Sequence, residues 1–367
     1  MNLDTHNFRR ILIVKSSSLG DIIHALPLLN GLRRRYPQAR ISWLLNTEYV
    51  DLLKDHSQLD EVIPFDRRQF KTLAGAVKMT FKLGGFAREL RAREFDLAVD
   101  VQGLFRSGLM AFASGAAVRL GFSPARECAG IFYSHRVAIP DSNMHAVDKN
   151  YLPAQMLGFA DHPVEFHLPV SPEARESLSG KLAGKGLDAG EPYAVIVPGS
   201  RWETKNWYPE RFAESVAYIQ SELKLRAVLS GSPAEADLCQ LIAQSCAPAP
   251  AVLAGEIGLA EWVALLGGAA VVLCNDSAAL HLAVALGRPV VTVFGPTNPS
   301  RTGPYEQQAS VLKAGLPCMP CYYRRLKQCP IQHQCMTDID VEQVTRALAA
   351  AVSQARDTRA NLTPTTI

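Results

Sequence analysis

The chain has 367 residues, of which 48% are apolar and 20% charged, the balance of a folded globular protein and not of a disordered one. Lys and Arg number 38 against 35 Asp and Glu, a net charge of +3, which excludes wholesale coating of nucleic acid. The longest uncharged apolar stretch, Trp262 to Cys274, spans 13 residues, against about 20 for a membrane-crossing helix.

The length suits two domains of moderate size. The apolar run at 11–14 is cut off by Lys15, so no secretory leader is expected. The expected compartment is the cytoplasm, where the eight cysteines do not read as a disulfide framework.

Strand, loop and helix alternate along the chain. Residues 10–14 (RILIV) form a short β-branched run typical of a buried parallel strand. Residues 21–35 carry apolar side chains near helical spacing, and Pro37 comes next. Strands are expected at 41–45, 61–65 and 96–101, with a basic helix closing at 90–93 and shorter strands at 117–122 and 137–139. The rhythm pauses between Pro169 and Pro192, which marks a domain junction, with a helix over part of it.

It then restarts. Strands are expected at 193–197, 226–230, 251–253, 271–274 and 289–294. Helices are expected at 209–223, 234–245, 260–267 and 277–286, and a last amphipathic helix at 341–356. Two βαβ series predict an α/β protein of two doubly wound domains, 1–170 and 171–340, facing each other across a cleft. Ligands in such folds sit at the carboxyl ends of the strands. Residues 357–367 lack apolar periodicity and read as a frayed tail.

Four strand-end loops carry candidate chemistry. The first, Lys15-Ser16-Ser17-Ser18-Leu19-Gly20-Asp21, opens a helix with small hydroxyls and free amides, an anion or sugar seat. It is neither GxGxxG nor a P-loop. Asp21 reads either as a first-turn carboxylate favoured by the helix dipole or as a base for an attacking hydroxyl. The second loop, from Pro198 to Trp207, holds Ser200 and Lys205. The lysine is either a phosphate contact or a solvated loop cation. In the third, Ser230 to Glu235, Glu235 either starts a helix or accepts from ribose hydroxyls. In the fourth, Asn275-Asp276-Ser277-Ala278-Ala279-Leu280-His281, a helix N-terminus offers a diphosphate seat, and His281 alone reads as a core histidine. Three of the four lie in the second half, which points to a nucleotide donor there and an acceptor on the first.

Taken together, KSSSLGD (15–21), DVQGL (100–104), ARE (125–127) with FY (132–133), TKNW (204–207), NDSAALH (275–281) and FGPTNP (294–299) resemble glycosyltransferase family 9. These are the ADP-heptose:lipopolysaccharide heptosyltransferases, and the N-terminal motifs are nearest those that add the first heptose to the Kdo of lipid A. The resemblance implies a GT-B fold whose C-terminal helix returns to the first domain. It also implies inverting, metal-independent transfer from ADP-heptose, with no cofactor required.

It assigns Asp21 as general base and Ser17, Ser18, Gly20, Ser200, Lys205, Glu235, Asp276, Ser277, Ala278 and His281 to the donor. Arg67, Arg68, Lys71 and Arg126 go to the anionic acceptor, Kdo-lipid A. Ala278 departs from the glycine frequent there, and its methyl crowds the approach to a phosphate.

Cys318, Cys321, Cys329 and Cys335, with His333 between them, read as reduced thiols, a disulfide, or ligands of a structural zinc. A lipid acceptor implies peripheral contact with the inner leaflet of the inner membrane. Lys78, Lys82, Arg88, Arg91 and Arg93, with Phe81 and Phe86, are a candidate surface for it, as is the basic run 322–327. No nucleic-acid partner is expected. The competing readings are a family member with another nucleotide sugar or a heptosylated acceptor, an NAD(P)-dependent oxidoreductase, and a metal or redox module centred on the cysteines. The missing GxGxxG argues against the oxidoreductase.

Overall fold

The computed structural model describes residues 3–66, 76–307 and 311–362. It divides into two compact units, Met1–Pro169 and Val170–Ile367.

The first unit is built on a six-stranded sheet. Its strands are β1 (Arg10–Val14), β2 (Arg40–Asn46), β3 (Glu61–Phe65), β4 (Leu97–Asp100), β5 (Val118–Ser123) and β6 (His135–Ala138). They lie in the order β3-β2-β1-β4-β5-β6, every pair parallel. Ile11, Leu12, Ile13 and Val14 are all fully buried, which is why a plain apolar run and not an alternating one marks this strand.

The second sheet has β7 (Tyr193–Val197), β8 (Arg226–Leu229), β9 (Ala251–Val252), β10 (Val271–Asn275), β11 (Val290–Phe294) and β12 (Val311–Lys313). Its order, β12-β11-β10-β7-β8-β9, is the same wiring as the first sheet when each is counted from its own first strand. In both sheets the order reverses between the first and fourth strands. That gap is the switch point at which doubly wound folds bind ligands.

Strand register fixes the level at which the loops leave the central strands. Val14 pairs with Asp100, so the loops after β1 and β4 start level. Val197 pairs with Cys274, so Pro198 comes beside Asn275, whose side-chain amide donates to the Pro198 carbonyl at 2.6 Å. The indole N–H of fully buried Trp43 donates to the Lys15 carbonyl at 3.1 Å and fixes the exit from β1.

Several elements differ from the expectation. The helix expected at 21–35 is two, Leu19–Ile23 and Leu26–Arg35, because Pro27 has no N–H to continue the first ladder and instead opens the second. The helix expected over part of the junction does form, at Pro172–Gly184, capped by Ser171, whose hydroxyl accepts from Ala174 N–H. The last helix runs on to Leu362, and its Val344, Leu348 and Val352 pack into the second unit's core with Trp207 and Ile339. No helix among the described residues is long and apolar enough to cross a membrane.

Candidate functional site

In the first unit, Asp21 lies in the first turn of the helix Leu19–Ile23. Ser18 donates to its Oδ2 from both the backbone N–H (3.1 Å) and the hydroxyl (2.7 Å), which orients the carboxylate while 47% of the side chain stays exposed. Lys15, 5% exposed, reaches under the loop: its Nζ donates to the Val101 carbonyl at 3.0 Å and lies 3.9 Å from Asp21 Oδ1. Burial pulls the Lys15 ammonium below its ordinary range; Asp21 and Asp100 oppose that shift and Arg126 adds to it.

Asp100 is the buried post of the second loop. It accepts from the N–H groups of Gln102 (2.8 Å) and Gly103 (3.1 Å) and from the Tyr133 hydroxyl (2.7 Å). Burial raises both the Asp100 carboxyl and the Tyr133 phenol. Gly103, at φ +69°, makes the turn that a side chain resists. Gln102 Oε1 accepts from Ser17 N–H at 3.3 Å and joins the two loops. Arg126 stands exposed at the start of a 3-10 turn. The structure therefore brings Ser17, Ser18, Gly20, Asp21 and Arg126 to one neighbourhood, with Lys15, Asp100 and Tyr133 beneath them. Arg67, Arg68 and Lys71 lie outside the described residues.

In the second unit, Lys205 pairs with Asp276 at 2.7 Å, their side chains 17% and 4% exposed. Asp276 also accepts from the Thr297 hydroxyl at 2.6 Å. The Asp276 carboxylate is thus turned to Lys205 and Thr297. Ser277 stands just before the helix Ala278–Ala285 without capping it, and its buried hydroxyl has no hydrogen-bond partner among the described residues; nor has that of Ser230. Ala278 is the first residue of that helix, and His281 is buried one turn on.

Glu235 accepts from Ser232 N–H at 2.6 Å and lies against Gly199 and Gly231. A Cβ on Gly199 would stand 2.3 Å from its Oε1, so glycine is what admits this carboxylate. The Ser200 hydroxyl donates back to the Trp202 carbonyl at 3.1 Å, so this residue shapes the loop. The arrangement is an anion seat: one half-buried cation, free helix N–H groups, an unpaired hydroxyl and a carboxylate suited to sugar hydroxyls.

The cysteine segment lies over these loops. Tyr322 N–H donates to the Pro296 carbonyl (2.8 Å), the Thr204 hydroxyl donates to the Tyr323 carbonyl, and Leu326 N–H donates to Glu203 Oε2 (3.1 Å). His333 Nε2 donates to the Thr204 carbonyl (2.8 Å), and the Tyr208 hydroxyl lies 3.5 Å from its Nδ1. All four thiols are free, from exposed Cys318 to buried Cys335. Among the described residues no group of three or more His, Cys, Asp or Glu is placed to hold a metal ion, so these cysteines do not fit the zinc as they stand.

The basic surface expected around 78–93 is also changed. Phe86 packs on Phe65 at 5.6 Å and belongs to the core, and Arg93 is held by Glu61 at 2.8 Å. Arg88 and Arg91 are exposed, and the side chains of Lys78, Phe81 and Lys82 lie outside the described residues. A different surface was missed. Phe105, Phe112 and Ile131 are 45%, 49% and 69% exposed, both phenylalanines against Phe132, with Arg119 over the Phe112 ring. Single apolar residues in separate elements leave no periodic trace of such a patch. Lys15 and Trp202 were equally hidden, since only the fold shows what a lone lysine or tryptophan faces.

Residues 84–333 match the family model for glycosyltransferase family 9 (heptosyltransferase). Over 318 residues, 85% of this chain and 86% of the relative, the sequence is 33% identical to lipopolysaccharide heptosyltransferase 1 of Pseudomonas aeruginosa. The fold is that of the family 9 glycosyltransferase of Veillonella parvula, at TM-score 0.79 and 23% identity over 96% of this chain and 99% of that one. The E. coli heptosyltransferase WaaC with ADP-2-deoxy-2-fluoro heptose is similar at TM-score 0.66 and 25% identity, over 94% and 99% of the two chains.

Proposed function

The chain belongs to glycosyltransferase family 9, and from that membership we propose that it moves heptose from ADP-heptose to the Kdo of lipid A in the inner core of lipopolysaccharide. The observation that carries the reading is the pairing of chemistries at the two switch points: an oriented, part-exposed carboxylate after β1 and a half-buried lysine beside a helix N-terminus after β7.

Asp21 takes the proton from the acceptor hydroxyl as its oxygen attacks the anomeric carbon, and the configuration inverts. The bond from that carbon to the diphosphate oxygen breaks, and ADP leaves with the electron pair. Lys205 and the free N–H groups of the helix Ala278–Ala285 meet the charge that develops there. Glu235 accepts from the ribose hydroxyls, while Ser200 and Asp276 hold the loop and Lys205 in place. Ser17, Ser18 and Gly20 give the carboxylate its seat, and His281 supports the donor helix from one turn on. Arg126 meets acceptor phosphate or carboxylate, in company with Arg67, Arg68 and Lys71.

A lipid acceptor brings the enzyme to the inner leaflet as a peripheral protein. Phe105, Phe112 and Ile131, beside Arg119, support that contact, because aromatic and aliphatic side chains with arginine suit a bilayer interface.

The test is transfer itself. Purified protein, ADP-heptose and Kdo-lipid A should yield a lipid heavier by one heptose. Asp21→Asn should keep its affinity for ADP and lose turnover by roughly 10²-fold or more. A product formed only on an already heptosylated acceptor would replace the first-heptose assignment. Turnover near wild type in Asp21→Asn would remove the base.

A further inference from the structure

The diphosphate of a nucleotide sugar carries about two negative charges and gains another as the sugar departs. The side chains paired at the loops that would receive it do not offer a matching positive charge. Lys205 is already paired with Asp276, and Glu235 lies at the next loop. Counted together these three side chains are net negative.

The strap between β12 and the last helix carries a further cation beside Lys205. Arg324 Cζ lies 4.8 Å from the centroid of the Trp202 ring, and Lys205 Nζ lies 4.6 Å from the same centroid. The two charges therefore lie within about one Debye length of each other, roughly 10 Å at 0.1 M salt. The strap is held in register by its bonds to Thr204, Glu203 and Pro296. Gln328 Oε1 accepts from the N–H groups of both Arg324 (3.1 Å) and Arg325 (3.0 Å) and sets the turn that carries them. Tyr322, Arg324, Arg325, Lys327 and Gln328 line an open cavity of about 380 Å³, three of the five being cations.

We infer that Arg324 is a second anion-binding residue of the donor site, positioned on Trp202 so that its guanidinium and Lys205 take the diphosphate between them. This rests on the donor reading above. Trp202 is the shared platform, its ring attracting both cations. Arginine suits the place because its planar fork both stacks on an indole and meets two phosphate oxygens at once.

Calorimetric titration with ADP and with adenosine separates the possibilities. Wild type should bind both. Arg324→Ala should weaken ADP roughly tenfold, the equivalent of about 1.4 kcal/mol, and leave adenosine unchanged. Arg324→Lys should recover only part of the loss, and Arg325→Ala should stay within about twofold of wild type. ADP binding in Arg324→Ala equal to wild type overturns the inference and leaves the donor reading standing. An equal loss for ADP and adenosine also overturns it, because the residue is then structural. A wild-type protein that binds no ADP overturns the donor reading instead.

Discussion

Replacing Lys205 does more than delete a cation. Asp276 is 4% exposed and loses its only ion-pair partner among the described residues, while Thr297 continues to donate to it. A phosphate oxygen at hydrogen-bond distance from where Nζ stood would lie about 5–6 Å from that carboxylate. At an effective dielectric near 20 this repulsion is about 3 kcal/mol. The lost charge-assisted bond adds about 1.5–3 kcal/mol.

Solvent at the site relieves some of the sum. Lys205→Ala should therefore weaken ADP by roughly 10²–10³-fold. Adding Asp276→Asn to that variant removes the repulsion without restoring the cation and should recover about tenfold or more. The assay is calorimetric titration of both variants at fixed ionic strength. Equal ADP affinity in the single and double variants would refute the argument, because Asp276 would then not face the bound phosphate.

Three further outcomes rest on the packing. His56 is buried, donates from Nε2 to the His167 carbonyl at 2.8 Å and accepts at Nδ1 from Gln58 N–H at 3.2 Å, and burial lowers its pKa to about 4. Its neutral ring stabilises the fold fully above about pH 6.5; below that the unfolded chain takes up the proton first. Up to about 3 kcal/mol should be lost between pH 6.5 and 4, and His56→Gln should flatten that part of the urea-midpoint profile. Gly121→Ala would place a Cβ 2.2 Å from the Tyr133 ring and push the phenol off Asp100. We expect a loss of about 1–3 kcal/mol or more in urea unfolding. Burial raises the thiols of Cys239 and Cys274 to about 12 and Cys335 to about 11, whereas Cys128 and Cys318 are exposed. Alkylation of the native protein, read by peptide mass, should therefore label Cys128 and Cys318 first.

The central strands were legible because burial on both faces writes an unbroken apolar run: β1 and β7 end where their runs end. β12 was not, since it is a three-residue edge strand with half-exposed side chains and leaves no such run. The break at His24 and Ala25 was hidden by continuous helical spacing across it, although Pro27 was the available signal. The loops that hold candidate chemistry were found from their place after strands. Their internal pairings were not, because Lys205 meets Asp276, and Arg324 meets Trp202, across long stretches of chain that only strand register brings together. Short-range spacing carries the period of an element; it does not carry which loop lies beside which.

The wiring of the first sheet separates two properties that natural variation can then alter independently. Asp21 comes after β1, an inner strand whose neighbours are fixed on both sides, while Arg126 comes after β5 and the basic residues 67, 68 and 71 come after the edge strand β3. The carboxylate of Asp21 takes its orientation from Ser18, within its own loop. Under the proposed roles, acceptor contacts and the base therefore sit on separate loops of one sheet.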